Sequence, residues 1–190
     1  MDVNSSVEWV NRVAAANSTE AAVLHHCLWT MECAYWEDVD FNAGRDAARF
    51  YSEDAVFDIG LGGARFEGRR AIADFYAGRH AQGPRTSLHR VHNFALLDWE
   101  AQSARTRAVV SLIAADGTAP QPSAVPLMIT AAETRYTAIN GGWKIAARLN
   151  APCFIDRGYS LEERIAATKH VQQGGRTGLS ASGAEDSNGG

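Results

Sequence analysis

The chain has 190 residues, 46% of them hydrophobic and 21% charged, with a formal net charge of -4. That is enough chain for one domain around one core, and with no basic block anywhere it lacks the footprint of a nucleic-acid or anionic-membrane surface. No apolar run reaches the length of a membrane span and no charged head precedes an apolar signal core, so a cytoplasmic protein without membrane contact is expected.

Residues 1–17 read as an N-terminal helical extension, with VEWVNRVAAANS as a short amphipathic helix. Asn17 or Ser18 can cap the next helix, TEAAVLHHCLWTMECAYWEDVDF, which has Glu20 in its first turn. It is apolar on more than one face, predicting extensive burial, and should end near Asp40 because Asn42 and Gly44 follow. RDAARFYSEDAVF predicts a further helical turn or two and then a turn at Ser52–Asp54. Strand patterns begin after Asp54: AVFDIG and ARFEG flank LGG as a hairpin, and GRRAIADFYAGRHA follows as a helix broken by Gly83–Pro84. Three long strand-like runs come next, TSLHRVHNFALLDW, ARTRAVVSLIAA and VPLMITAAETRYTAI. The turn Asn140–Gly141–Gly142 leads into a last strand, GWKIAARLNAPCFI. Residues 157–190 form a C-terminal extension, expected to be disordered from about Gly174, where Gly and Ser dominate. Helices followed by a mainly antiparallel sheet indicate an α+β fold. Strands this long should curl, with the early helices covering the concave face and leaving a small-molecule pocket.

Several side chains in this order bear chemistry. His89 and His92 stand three apart in a strand, so they point to opposite faces and cannot easily chelate one ion together. His89 shares a face with Ser87, Val91, Asn93 and Ala95; His92 shares the other with Leu88, Arg90, Phe94 and Leu96, and both faces are expected to be covered. His25 and His26 read as structural, His80 and His170 as surface residues. Asp40 closes the long helix, where negative charge opposes the helix dipole. A carboxylate there is either a solvated helix end, as Glu37 and Asp38 read, or a functional group. Arg148 in the last strand either snorkels to solvent or stands as a fixed cation over a developing anion. Tyr35, Trp36, Phe57 and Tyr136 could line a pocket for a ring or polyene, or fill the core. The three cysteines, Cys27, Cys33 and Cys153, are odd in number without metal-ligand spacing, so buried reduced thiols and no metal site are expected. GLGG at 60–63 precedes a strand rather than a helix, which argues against a phosphate loop; GxSxG, HExxH and paired CxxC are absent. Apolar residues at Val109, Leu112 and Met128 predict that the outer sheet face is an oligomer contact, as a dimer or trimer.

DVDFNAGRDAARFYSEDAVF, FEGRRAIADFY, TSLHRVHNFAL and NGGWKIAARLN occur in this order. Together they resemble the nuclear transport factor 2-like superfamily in its polyketide-cyclase-like (SnoaL-like) branch, over roughly residues 18–156. Within that branch the chain is most similar to the scytalone dehydratases and hexachlorocyclohexane dehydrochlorinases. The resemblance implies a cystatin-like α+β barrel with a cone-shaped cavity, and a cofactor-free lyase using a histidine–aspartate dyad. Asp40, followed by Asp54–Ala55–Val56–Phe57, matches the aspartate of those enzymes; Thr86, His89 and Asn93 match their histidine strand. Arg148 lies five residues after Trp143, reproducing an arginine of the dehydrochlorinase. Tyr35 stands where that enzyme has a lysine, Phe57 where it has a pocket tryptophan, and Val39 where scytalone dehydratase has a tyrosine. The dyad therefore carries over better than either substrate. The roles implied are His89 as base, Asp40 as its orienter and Arg148 or Tyr35 as anion stabiliser. Phe57, Trp36, Asn93 and Tyr136 would contact a small hydrophobic substrate. An isomerase or cyclase in the same pocket, a ligand carrier, or the small subunit of an oxygenase are the alternatives such a fold allows.

Overall fold

A computed structural model describes residues 18–61 and 64–158; the expected first helix, the glycine-rich tail and His170 lie outside the described residues. Helix α1 spans Thr19–Phe41. Ser18 caps it by accepting a hydrogen bond from Ala21 N, the arrangement a serine at this position favours. Its buried residues, Ala21, Leu24, Leu28, Glu32 and Tyr35, recur every three or four positions, so one face packs inward. The expectation of burial on several faces is corrected: Val23, Phe41, Cys27 and Cys33 look outward, and Cys153 is exposed as well. The helix ends because Asn42 and Gly44 both donate backbone hydrogen bonds to Asp38 O. Gly44 has φ +70°, and a side chain there would run into the ring of Tyr76. Asp38, read as merely solvated, holds this turn by accepting from Asn42 Nδ2 and Asp46 N.

A 3-10 turn at Ala47–Phe50 leads into β1, Tyr51–Asp58. The turn expected at Ser52–Asp54 is thus a strand. Tyr51 and Ser52 are fully buried, and β1 pairs in parallel with the last strand from Tyr51 onward. The strand is anchored by pairing at Tyr51 and again from Val56, with the register shifting between them. β2 (Arg65–Glu67) forms the expected hairpin with β1. Helix α2 (Arg69–Ala81) follows, then β3 (Arg85–Glu100), β4 (Ser103–Asp116), β5 (Met128–Ile139) and β6 (Gly142–Ile155). The six strands lie in the order β2-β1-β6-β5-β4-β3, antiparallel except for β1 against β6. Helix α1 packs on β3, and α2 on β1, β2 and the 3-10 turn.

A bulge in β3 between His92 and Ala95, with Asn93 at φ +51°, reverses the inside–outside alternation. Before it, Ser87, His89 and Val91 face inward while Leu88, Arg90 and His92 are exposed. After it, Phe94 and Leu96 turn to the core instead of sharing the face of His92. Phe94 meets the edges of His25 and Trp29, and its carbonyl bonds His25 Nε2, which gives His25 a structural place. The expectation that both faces of this strand are covered is therefore corrected.

The deepest polar group is an ion pair between Arg148 on β6 and Glu32 on α1, at 2.8 and 2.5 Å, with both side chains essentially inaccessible. Burial works against the charge on Glu32, but Arg148 beside it keeps its pKa below the usual carboxylate value. Removing one partner would strand the other charge in the core. Glu32→Ala and Arg148→Ala should each cost about 3–5 kcal/mol, whereas Glu32→Leu combined with Arg148→Met should cost less than either single truncation. Urea unfolding of the four proteins checks this.

Candidate active site

Between the helices and the sheet lies a cavity of about 810 Å³, within the range that encloses a drug-sized molecule. Phe57, Ile59, Phe75, Tyr76, Val110, Leu112 and Met128 form much of its apolar wall. Leu112 and Met128, expected on the outer sheet face, point into this hollow, and only Val109 stays on the opposite face of its strand. Among the described residues, no three His, Cys, Asp or Glu side chains gather so that they could hold a metal ion. None of the described helices is long and apolar enough to cross a membrane.

Asp40 and His89 meet at this wall. His89 Nδ1 lies 2.7 Å from Asp40 Oδ1. Ser87 Oγ also donates to Oδ1, at 2.8 Å, and the backbone N–H of His89 donates to Oδ2, at 2.6 Å. An ionised carboxylate only accepts, so Nδ1 must carry the proton, and in the neutral ring Nε2 holds the lone pair. The Asp40 side chain is only 4% exposed and that of His89 15%. Burial alone would raise the Asp40 pKa, but the hydrogen bonds and charge of His89, with Ser87, hold it below the ordinary value.

Trp36 packs flat on His89, ring centroids 4.0 Å apart and planes 17° from parallel. Its indole N–H donates to Glu32 Oε1 at 2.7 Å. The stack fixes the imidazole plane. Glu32, Trp36 and Asp40 are spaced by four on α1, so the ion pair, the stacking ring and the carboxylate occupy one stripe.

The other sequence-selected residues lie elsewhere. Arg148 does not line the cavity: two guanidinium nitrogens are taken by Glu32, its Nε has no partner among the described residues, and Tyr35 and Trp36 rings flank it. It is neither snorkelling nor open to a ligand. Tyr35 also sits behind the wall, fully buried, with its hydroxyl bonded to those of Tyr76 and Tyr51. Burial, first of all, pushes all three phenols well above their ordinary pKa. Tyr136 is buried too and donates to Glu32. Asn93 is exposed at the bulge and away from the cavity. Phe57, Trp36, Asp40 and His89 line it. So does His80, read as a surface residue: it is exposed, at the rim. Sequence reading missed Ser87 as a second donor to Asp40, and Glu32 and Tyr76 altogether. The spacing of Glu32 and Trp36 from Asp40 was the available signal for Glu32.

A family profile for the SnoaL-like domain matches residues 31–149, from the middle of α1 into β6. The chain belongs to the SnoaL-like family. Its matched segment contains the whole stripe and both members of the SnoaL-like domain's Asp40–His89 pair. The fold is nuclear transport factor 2-like and cystatin-like, as solved structures show. A nuclear transport factor 2-like protein with a cystatin-like fold from Novosphingobium aromaticivorans is 16% identical, with a TM-score of 0.56 over 78% of this chain and 97% of that one. A candidate scytalone dehydratase from the same organism is 19% identical, with a TM-score of 0.58 over 73% and 96%. A candidate aromatic ring hydroxylase, again from that organism, is 23% identical, with a TM-score of 0.53 over 68% and 89%. No curated protein matches the chain.

Because its folded pKa is depressed, ionised Asp40 contributes stability above its ordinary pKa of 3.8, and that contribution is lost as pH falls through the lower folded value. The gap in stability between the parent and Asp40→Asn should therefore narrow as pH falls below about 4. Urea midpoints measured across the acid range read this directly.

Proposed function

We propose that this SnoaL-like protein is a lyase that eliminates water from a small, largely apolar cyclic substrate, with His89 as general base and Asp40 as its orienter. The observation that carries the reading is the 2.7 Å contact between His89 Nδ1 and buried Asp40 at the wall of an apolar hollow. Nδ1–H is committed to the carboxylate, which leaves the Nε2 lone pair for the ligand. The likeness in fold to a candidate scytalone dehydratase supports the same reaction class.

In the reaction Nε2 takes a proton from a carbon next to a carbonyl. The electron pair of that C–H bond forms the new double bond as the C–O bond at the neighbouring carbon breaks. The imidazolium then returns its proton to the departing hydroxide, so water leaves and the enzyme is regenerated. Asp40 and the stacked Trp36 stabilise the imidazolium between these steps. All of this uses the chain's own residues. Arg148 and Tyr35 have no part in it, since both are held behind the wall.

A bicyclic β-hydroxy ketone such as 3-hydroxy-1-tetralone tests the proposal, with water loss followed by mass spectrometry. His89→Ala should abolish turnover, and Asp40→Asn should reduce it by about 10²–10⁴-fold, the usual contribution of a positioned base. Full activity in His89→Ala would sink the reading, and a product of unchanged mass would move it to an isomerase.

A further inference from the structure

We infer that Asn150 and Thr130 form a second polar pole of the cavity, which recognises a neutral oxygen, a carbonyl or hydroxyl, at the end of the ligand remote from His89. The inference rests on taking the hollow as the substrate site; it does not depend on which reaction occurs there.

Both residues line the cavity. They stand on adjacent strands in an unbroken stretch of register, where Thr130 pairs with Pro152 and Ala132 with Asn150. Alternation along β6 puts Asn150 on the same face as Arg148, whose side chain is wholly inside. Alternation along β5 puts Thr130 on the face of Ala132 and Thr134, which are likewise buried. The two are thus diagonal neighbours on the inner wall, within reach of one ligand atom.

Neither side chain is engaged by the described residues. Thr130 is 3% exposed, and its Oγ1 is buried with no hydrogen-bond partner among the described residues. The Asn150 amide makes no hydrogen bond or ion pair with the described residues either. Buried polar groups are nearly always satisfied, and an unpaired one costs free energy unless something completes it. The surrounding wall of Val110, Met128, Ile59 and Phe57 offers nothing polar. A turn about χ1 of Thr130 would exchange its shielded hydroxyl with its methyl group without breaking a hydrogen bond to a described residue. The backbone of Asn150 is held from the far side by the β1–β2 hairpin. Gly60, at φ +79°, lies so close to the Asn150 carbonyl that no side chain could fit. The amide is therefore presented from a fixed strand.

The chemistry of the pair sets the ligand class. An amide and a hydroxyl donate and accept hydrogen bonds without charge, so they suit an alcohol, phenol or ketone oxygen. Thr130 is two strands from His89 and Asn150 three. At about 4.8 Å per strand, the poles are roughly 10 Å or more apart along the sheet. The ligand is a neutral ring system long enough to place one oxygen at this pole while an acidic C–H meets His89.

Equilibrium binding of 2-naphthol and of naphthalene to the full chain tests the assignment. The parent should bind 2-naphthol at least about 10-fold more tightly, since a site built to pair an oxygen discriminates against the analogue lacking it. Asn150→Leu with Thr130→Val should erase that preference while keeping the affinity for naphthalene, which also reports that the variant is folded. Asn150→Ser, retaining a hydroxyl, should keep part of it. Asp40→Asn should keep the whole preference, so failure of the dyad reading is distinguishable from failure of this one. Equal affinities in the parent, including no binding of either probe, would overturn the assignment, as would a preference that survives in the double variant.

Discussion

The Arg148–Glu32 ion pair, sealed between helix α1 and strand β6, is the constraint on which the candidate site depends. Two charges that cannot reach water must stay together, so the middle of the helix has one place over the sheet. From that anchor the stripe runs outward in steps of one turn. Glu32 accepts the Trp36 indole proton, Trp36 lies flat on His89, and Asp40 closes the stripe by binding the same imidazole. The histidine is held in position by its stack and in tautomer by its carboxylate. A shift of α1 along its axis would break all three relations together.

The interior is graded. Arg148, Glu32, Tyr136 and the linked phenols of Tyr35, Tyr51 and Tyr76 form a polar layer whose groups are nearly all occupied by one another. That layer supports the site from behind, and of its members the Tyr76 ring alone reaches the cavity wall. Beyond it the hollow is largely apolar, with the dyad on one wall and, on another, an amide and a hydroxyl that no described residue engages. Occupied polar groups contribute rigidity, and unoccupied ones are available for recognition. This is why Arg148, the most prominent cation in the last strand, is a support, while the unremarked Asn150 faces the cavity. The fold itself decides none of this, since similar folds carry different chemistry.

Much of the architecture was legible from local pattern. The long helix with its Ser18 cap, the hairpin about residue 60, helix α2 and four long strands follow from periodicity and turn chemistry that neighbouring residues impose on one another. So did the opposition of His89 to His92, which needs only the alternation of a strand. The errors had causes that local sequence pattern does not show. Ser52–Asp54 reads as a turn until a parallel partner strand from the far end of the chain pairs on either side of it, at Tyr51 and from Val56. The bulge at Asn93 reverses alternation with no glycine to announce it. Leu112 and Met128 fit either sheet face on hydrophobicity alone.

By itself the sequence determined which elements form, in what order, that Asp40 sits at the end of a helix, and that His89 and His92 point to opposite faces of one strand. Those facts depend on residues within a few positions of one another. Only the tertiary structure decided that Glu32 claims Arg148 and that Tyr35 and Tyr136 lie behind the wall. Asn150 and Thr130, too, meet at the inner wall, without partners among the described residues, only once the sheet has closed. Each of these depends on which group, distant along the chain, arrives first at hydrogen-bond distance in a space without water. No residue's own chemistry announces that outcome.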